Sequence, residues 1–156
     1  MINSRSKGKR GEYAVIDLIQ ENLGIKLKRD IEQYRAGDRG DLIAPDGADW
    51  PFCIEVKSHS KGFIHKPEWW RQVAKAAAAQ GKMPVLFYKF DRLEWRVVLK
   101  ANTVSFAMGG TLDHSDDILL TMDAGSFFYF ARGILNQRGG CVKPLDDVLR
   151  NAEGQI

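Results

Sequence analysis

Glu55 and Lys57 are residues whose types and spacing could do chemistry together. They lie two positions apart in Phe52–Lys57, where alternating apolar and polar residues predict a β-strand. Successive side chains of a strand point to opposite faces, so Cys53, Glu55 and Lys57 share one face. A carboxylate and an ammonium on one face can converge on a reacting centre, although the same pair is also common as a solvated ion pair.

A second carboxylate, Asp41, turns this pair into a candidate metal site. Asp41 begins the short segment Asp41–Ala44, and the turn residues Pro45–Gly47 lead from it to the strand that carries Glu55. Pairing these strands as a hairpin brings the two carboxylates together, where they repel each other unless a cation lies between them. Mg²⁺ prefers one or two carboxylates with waters and phosphate oxygens.

A bound ion at this position would acidify a water and neutralise charge on an attacked phosphate. Lys57 could stabilise the negative charge that develops during the attack or help orient the nucleophilic water. Together, Asp41, Glu55 and Lys57 indicate phosphodiester hydrolysis.

A third acid, Glu12, belongs to an amphipathic helix predicted over residues 12–23. The stripe on which it lies continues through apolar residues at helical spacing, namely Ile16, Ile19 and Leu23. The helix therefore directs an acid toward the interior at its amino-terminal end. A glutamate in the first turn also complements the helix dipole, so Glu12 gains weight as a site residue only in combination with the other three.

Basic residues next to each of these segments could bind the phosphates that supply most of the affinity for DNA. Gly8 and Gly11 are expected to let the amino-terminal arm bend and approach DNA closely. The candidate DNA-binding residues are Arg5, Lys7, Lys9, Arg10, Arg35, Arg39, Lys61, Lys66, Arg71 and Gln72.

Composition excludes several classes of protein. The chain has 156 residues, of which 44% are hydrophobic and 28% charged, a globular balance for one ordinary domain. No apolar run approaches the ~18–20 residues of a membrane span. The basic start lacks the apolar region of a secretory signal, and two distant cysteines, Cys53 and Cys141, form no disulfide framework. We expect a cytoplasmic protein, including one encoded by a virus and acting in a host cell, with no membrane partner.

Charge is unevenly distributed along the chain. The net charge is +3, but residues 1–110 contain 19 Lys and Arg against 13 Asp and Glu, a net +6. Residues 111–156 contain 4 against 7, a net −3. The positive front contains all the candidate site residues and is compatible with a nucleic-acid partner.

Further elements must position the site. Pro67 is typical of a first helical residue, so a helix is predicted from Pro67 to about Gln80, ending at Gly81. The runs Pro84–Lys89 and Trp95–Leu99 predict two more strands. This order of helices and strands indicates an α/β fold with a mixed sheet.

The last third of the chain is less regular. Ile118–Met122 predicts a strand, and Asp123 or Ser126 could cap a helix that reaches Leu135. Its wide apolar surface is typical of core or of a subunit contact and contains Phe127, Phe128 and Phe130. Pro144–Ala152 predicts a short terminal helix.

The pattern Glu12, Gly40-Asp41 and Glu55-Val56-Lys57 resembles the PD-(D/E)xK nuclease superfamily. It is most similar to the archaeal-type Holliday junction resolvases (Hjc), including those carried by bacteriophages. Gly40 stands where the family usually has proline. The resemblance covers roughly residues 4–100 and is carried by Ser6–Glu12, Gly40–Ala44 and Ile54–Ser58, with Gln72, Phe90–Arg92 and Trp95-Arg96 also fitting.

This resemblance implies a restriction-endonuclease-like core with a central mixed β-sheet flanked by helices. The core would span residues 1–100. Residues 101–156 would be a C-terminal extension that packs on the core or contributes to the dimer interface.

The resemblance also implies roles for single residues. Glu12, Asp41, Glu55 and Lys57 would be catalytic, and the metal would be held by Asp41, Glu55, the backbone carbonyl of Val56 and Glu12. The cofactor would be Mg²⁺, with Mn²⁺ able to replace it. A homodimer would nick opposing strands of a four-way DNA junction.

Two alternatives remain open, because the same core serves restriction, repair and recombination enzymes. The first is a restriction-like or repair nickase that acts on duplex DNA. The second is a non-catalytic nucleic-acid-binding module, which the intact acidic set disfavours, since a pure binder gains nothing from acids facing phosphate.

Overall fold

The computed structural model of the protein describes residues 3–32, 39–110, 118–139 and 150. In this part of the chain, four helices accompany one six-stranded sheet of strand order β1-β2-β3-β4-β5-β6. The strands are β1 (Lys28–Arg29), β2 (Leu42–Ile43), β3 (Phe52–His59), β4 (Met83–Phe90), β5 (Arg96–Lys100) and β6 (Leu119–Asp123). The helices are α1 (Ser4–Leu23), α2 (Pro67–Gln80), α3 (Ala101–Ala107) and α4 (Ala124–Gln137).

The sheet is mixed and has helices on both faces. β3 and β4 run parallel and are joined through α2, whereas every other neighbouring pair is antiparallel. Phe52, Ile54 and Val56 of β3 pack with α1 and α4, while Cys53 packs with α2 on the opposite face. These features confirm the predicted α/β fold and the predicted alternation of β3.

The hairpin that carries the candidate acids is also confirmed. β2 pairs antiparallel with β3, with Leu42 opposite Ile54. α2 has the predicted limits, because Pro67 occupies its first turn and Gly81 ends it in the left-handed conformation with φ +63°. The hairpin and α2 thus enclose β3 from its edge and from one face.

Helix α1 begins at Ser4, eight residues before the predicted start at Glu12. Asn3 caps the helix, since its side-chain oxygen accepts a hydrogen bond from the backbone N–H of Arg5 at 3.1 Å. The expected bendable arm around Gly8 and Gly11 is therefore helical. Gly11 instead lets α1 pack closely on β3, because a Cβ there would lie 3.2 Å from the Cβ of Ser58.

The region after residue 100 continues the same sheet and the same core. β6 pairs with β5, and α4 is capped by Asp123, whose Oδ1 accepts from the backbone N–H of Ser126 at 2.8 Å. Of the three phenylalanines on the predicted apolar surface of α4, Phe127 and Phe128 are buried and Phe130 is half-buried. The division of the chain into a core and an extension at residue 100 stays a prediction. The predicted helix Pro144–Ala152 falls outside the described residues except for position 150.

No helix in the described part of the chain is both long and apolar enough to cross a membrane.

Candidate active site

Asp41 is fixed against β3 through both its backbone and its side chain. Its backbone N–H donates to the carbonyl of Ile54 at 2.8 Å, and its Oδ2 accepts from the backbone N–H of Val56 at 2.7 Å. The residue is buried, with 5% of its surface exposed. The hairpin therefore holds this carboxylate beside the middle of β3.

Glu55 is the most enclosed of the candidate acids, with 1% of its surface exposed. Its Oε1 accepts from Nε2 of Gln72 at 2.7 Å and lies 2.7 Å from Nζ of Lys57. Lys57 also donates to Oε1 of Gln72 at 3.0 Å. The second carboxylate oxygen of Glu55, Oε2, is buried and has no hydrogen-bond partner among the residues that the structure describes.

The ionised form of Glu55 is unfavourable in this environment. Burial is the largest cause and the charge of Asp41 the next, and together they raise the pKa of Glu55 to about 7 against the opposing effect of Lys57. Two neighbouring buried carboxylates, one with an unsatisfied oxygen, form a site whose charge a cation would balance.

Glu12 is brought to the same cleft but has a partner of its own. It is buried, and its Oε2 accepts from Nε of Arg29 on β1. In the described ranges no group of three or more His, Cys, Asp or Glu side chains is placed to hold a metal ion. A ligand role for Glu12 stays a prediction.

Asp41 and Glu55 nevertheless fit a hard divalent cation. Such an ion needs only one or two protein carboxylates when waters and substrate phosphate complete its coordination. The unsatisfied Oε2 of Glu55 is the observation that decides this fit, because an unpaired buried charged oxygen is costly without a cation or a proton. Asp41 and Glu55 supply the negative charge that a divalent cation requires. The backbone carbonyl of Val56 belongs to the residue next to Glu55 on β3.

A cleft of about 470 Å³ opens above these groups. It is lined from α1, from residues 39–41, from α2 and from the second half of β3. Of the predicted DNA-binding residues, the structure brings three to the cleft lining, Lys7, Arg39 and Gln72. Those placed outside the lining are Arg5, Lys9, Arg10, Lys61, Lys66 and Arg71, and Arg35 falls outside the described residues.

Both predicted DNA-binding cations that line the cleft are already paired with acids. Lys7 forms an ion pair with Asp91 and also lies 3.5 Å from the hydroxyl of Ser60. Nη1 of Arg39 lies 3.6 Å from carboxylate oxygens of both Asp30 and Glu32. Any phosphate contact by Lys7 or Arg39 would therefore compete with an existing carboxylate.

Sequence reasoning missed the contacts that Gln72 makes. The chain separates Gln72 from Glu55 and Lys57 by at least 15 residues, and only the packing of α2 on the sheet brings its amide to both. It also missed Arg29 as the partner of Glu12. Neither contact had a local signal, because each depends on how two elements pack.

His59 lies at the end of β3 and lines the cleft. Burial is the largest cause of its lowered pKa, and the charges of Lys66, Lys57 and Lys7 lower it further. Its ring stacks on Trp69 with centroids 4.6 Å apart. Three lysines thus lie close enough to His59 to affect its pKa, whereas the Trp69 ring on which it stacks is buried.

The chain matches known proteins over most of its length. Residues 3–118 match the family described as "Phage putative PDDEXK endonuclease". Protein D14 of Escherichia phage T5 is 29% identical over 117 residues, which cover 65% of this chain and 73% of that protein. A solved structure of Hjc, a Holliday junction resolvase from Archaeoglobus fulgidus, has 18% identity and a TM-score of 0.45, covering 78% of this chain and 91% of that one.

The family match spans both hairpin acids, Glu12, Lys57 and the sheet through β5. Nucleases of this superfamily generally use divalent metals, in agreement with the chemistry of the acid pair. The chain belongs to the phage PDDEXK endonuclease family and is a nuclease.

Proposed function

We propose that the chain is a Mg²⁺-dependent endodeoxyribonuclease whose metal is held by Asp41 and Glu55. The observation that carries this proposal is the unsatisfied, buried Oε2 of Glu55 beside Asp41 at the floor of an open cleft. The carbonyl of Val56 and the carboxylate of Glu12 are the further ligands that the motif implies. Mn²⁺, a similar hard cation, is expected to replace Mg²⁺.

The residues around the acids have separate tasks. Lys57 faces the cleft with an ammonium that can stabilise charge on an attacked phosphate or orient a water. The side-chain amide of Gln72 forms hydrogen bonds with both Lys57 and Glu55, so it fixes the ammonium group relative to the carboxylate. The bound ion would supply an acidified water and charge neutralisation.

The finer proposal is that the substrate is branched DNA, a four-way junction, and that a homodimer nicks two opposing strands. It is supported by the motif stretches around Glu12, Asp41 and Glu55, which resemble those of archaeal-type junction resolvases. We expect the site of action to be the cytoplasm of a host cell, where phage DNA recombines and is repaired.

Cleavage of a four-way junction compared with a linear duplex of the same sequence tests both levels. The proposal expects paired nicks near the branch with Mg²⁺, fewer or no nicks in the duplex, and none in EDTA. Equal cleavage of both substrates would instead support the duplex nickase. Binding without cleavage in any divalent metal would support the non-catalytic module.

A further inference from the structure

The loop between β3 and α2 presents two large apolar side chains to solvent. Phe63 is 84% exposed and its neighbour Ile64 is 75% exposed. Single exposed apolar residues are ordinary, but two adjacent ones at a loop tip contribute little to folding. We call residues Phe63 and Ile64 the apolar tip.

The loop is anchored on both sides of the tip. Gly62 has φ +143°, and a Cβ there would overlap the ring of Phe90, so only glycine lets the backbone lie against that ring. On the other side, His65 packs on Tyr88 with ring centroids 5.6 Å apart. The tip is therefore held outward by contacts with β4.

The apolar tip lies close to the proposed catalytic centre. Its loop leaves directly from His59 and Ser60, which line the cleft. Phe63 is six residues beyond Lys57, so the two are separated by no more than about 20 Å even if the chain is extended. DNA bound with a phosphate in the cleft would pass within reach of the tip.

The charges around the tip favour an anionic partner. Lys61 and Lys66 flank it, are exposed, and form no ion pair with any residue that the structure describes. A recess of about 380 Å³ beside Phe63 is floored by aromatic side chains and lined by two arginines and one acid, namely Arg92, Arg96 and Glu94. Positive charge on both sides of an apolar projection fits a DNA backbone that straddles a base step.

We infer that the apolar tip is a wedge that inserts into a weakly stacked base step of DNA at the branch point. The inference rests on the proposed function, because it takes the DNA bound in the cleft as the partner. Proteins that kink DNA commonly insert Phe, Leu or Ile between base steps, at a cost of unstacking that is lowest where stacking is already interrupted. The tip would thereby favour branched DNA over continuous duplex.

A second copy of this chain is the competing occupant. A two-fold contact through the tip would bring Lys61 and Lys66 of one copy near the same lysines of the other, which is unfavourable without acids between them. DNA brings the opposite charge to both lysines, so the charge distribution favours it.

A four-way junction with 2-aminopurine next to the branch tests the wedge, since this base analogue fluoresces more strongly when unstacked. The measurement is made in EDTA, without cleavage. Wild type should raise the fluorescence on binding, Phe63→Ala should lose that rise, and Phe63→Leu should retain it. Loss of one aromatic contact should weaken binding only about tenfold, because phosphate contacts remain.

Met108→Ala is the matched control. Like Phe63, Met108 is apolar and largely exposed, at 75%, but it lies at the end of α3. It should leave both the fluorescence rise and the affinity unchanged. Sedimentation of the same variants without DNA measures whether the tip instead contacts a second copy of the chain. Conversion of a dimer to a monomer by Phe63→Ala, with the fluorescence rise intact, would assign the tip to a subunit contact and overturn the wedge.

The two proposals fail separately. A wild-type protein that unstacks the base but cleaves nothing in Mg²⁺ would remove the nuclease mechanism and leave the wedge. Normal cleavage with an undiminished fluorescence rise in Phe63→Ala, or with no rise in wild type, would remove the wedge and leave the mechanism.

Discussion

At Glu55, the stability of the fold and the binding of a metal favour different protonation states of the carboxyl group. Burial first, and then Asp41, raise its pKa from 4.5 to about 7. The folded state therefore binds this proton more tightly than the unfolded state does. Its stabilising contribution is complete below pH 4.5 and is lost as the pH rises through about 7.

We therefore expect the metal-free protein to lose stability between about pH 5 and pH 8. Glu55→Gln removes the charge and should be about 1–3 kcal/mol more stable than wild type at the higher pH, with little difference at the lower one. Thermal unfolding of both proteins in EDTA, at about pH 5 and about pH 8, measures this difference in stability. Identical pH dependence of the two proteins would show that another group governs the stability.

The grouping of Asp41, Glu55 and Lys57 was predictable because it needs only strand alternation and one hairpin. The pairing of Glu12 with Arg29 was not, since it depends on where β1 lies against α1. The contact of Gln72 with DNA stays a prediction, but the hydrogen bonds of its amide with Glu55 and Lys57 were not predictable, because they depend on how α2 packs on the sheet. Local patterns predict residues that share an element and miss those that packing brings together.

At the scale of elements, Gly40 controls how closely β2 approaches β3. A Cβ at this position would lie 2.6 Å from the carbonyl oxygen of Ile54 and 3.0 Å from Sγ of Cys53. The backbone oxygen cannot move without shifting the hairpin, and Asp41 is the next residue.

We expect Gly40→Ala to cost about 1–3 kcal/mol of stability and to lower cleavage by displacing Asp41. Gly8→Ala is the control, because a Cβ there meets nothing within 4 Å and alanine in a helix gains up to about 1 kcal/mol. Urea unfolding of both variants measures the difference. A wild-type midpoint for Gly40→Ala would mean that the hairpin adapts without cost.

Helix α4 is a second test at this scale, because it decides whether the chain after residue 100 belongs to the same folding unit. Phe127 is 1% exposed and packs edge-on against Phe52 and Phe87, with ring centroids 5.6 Å and 5.3 Å away. Phe127→Ala should therefore cost about 3–5 kcal/mol in one cooperative transition.

Tyr129 on the same helix is 63% exposed, so Tyr129→Ala should change stability by no more than about 0.5 kcal/mol. Denaturant unfolding followed by tryptophan fluorescence checks both. An unaltered main transition in Phe127→Ala would mark α4 as a separate unit. The sequence predicted this helix with Asp123 or Ser126 as its cap, and its apolar surface was typical of core or, less often, of a subunit contact, which only packing separates.

For the whole molecule, net charge is a poor guide because the acids of the site subtract from it. Binding should instead follow the local positive surface. Lys9 and Arg10 are exposed in the first half of α1, whereas Lys82 and Lys100 line a separate recess at the start of β4 and the end of β5. The length of β4 separates that recess from the His59 end of the cleft by about 23 Å.

Replacing Lys9 and Arg10 with glutamine should weaken junction binding and flatten the slope of log K against log salt by about 2. The same change at Lys82 and Lys100 should leave that slope unchanged. Fluorescence anisotropy across a salt titration measures both slopes. Equal slopes for the two double variants would mean that DNA does not lie along the start of α1.

Cleavage of a four-way junction by wild type and by Asp41→Asn, at matched DNA binding, tests the metal mechanism most directly. Asparagine keeps an oxygen for the N–H of Val56 but removes one charge of the acid pair. We predict that wild type nicks the junction in Mg²⁺ and not in EDTA, and that Asp41→Asn binds normally but loses at least about a hundredfold in rate. Specific nicking that persists in Asp41→Asn or in EDTA would contradict the account.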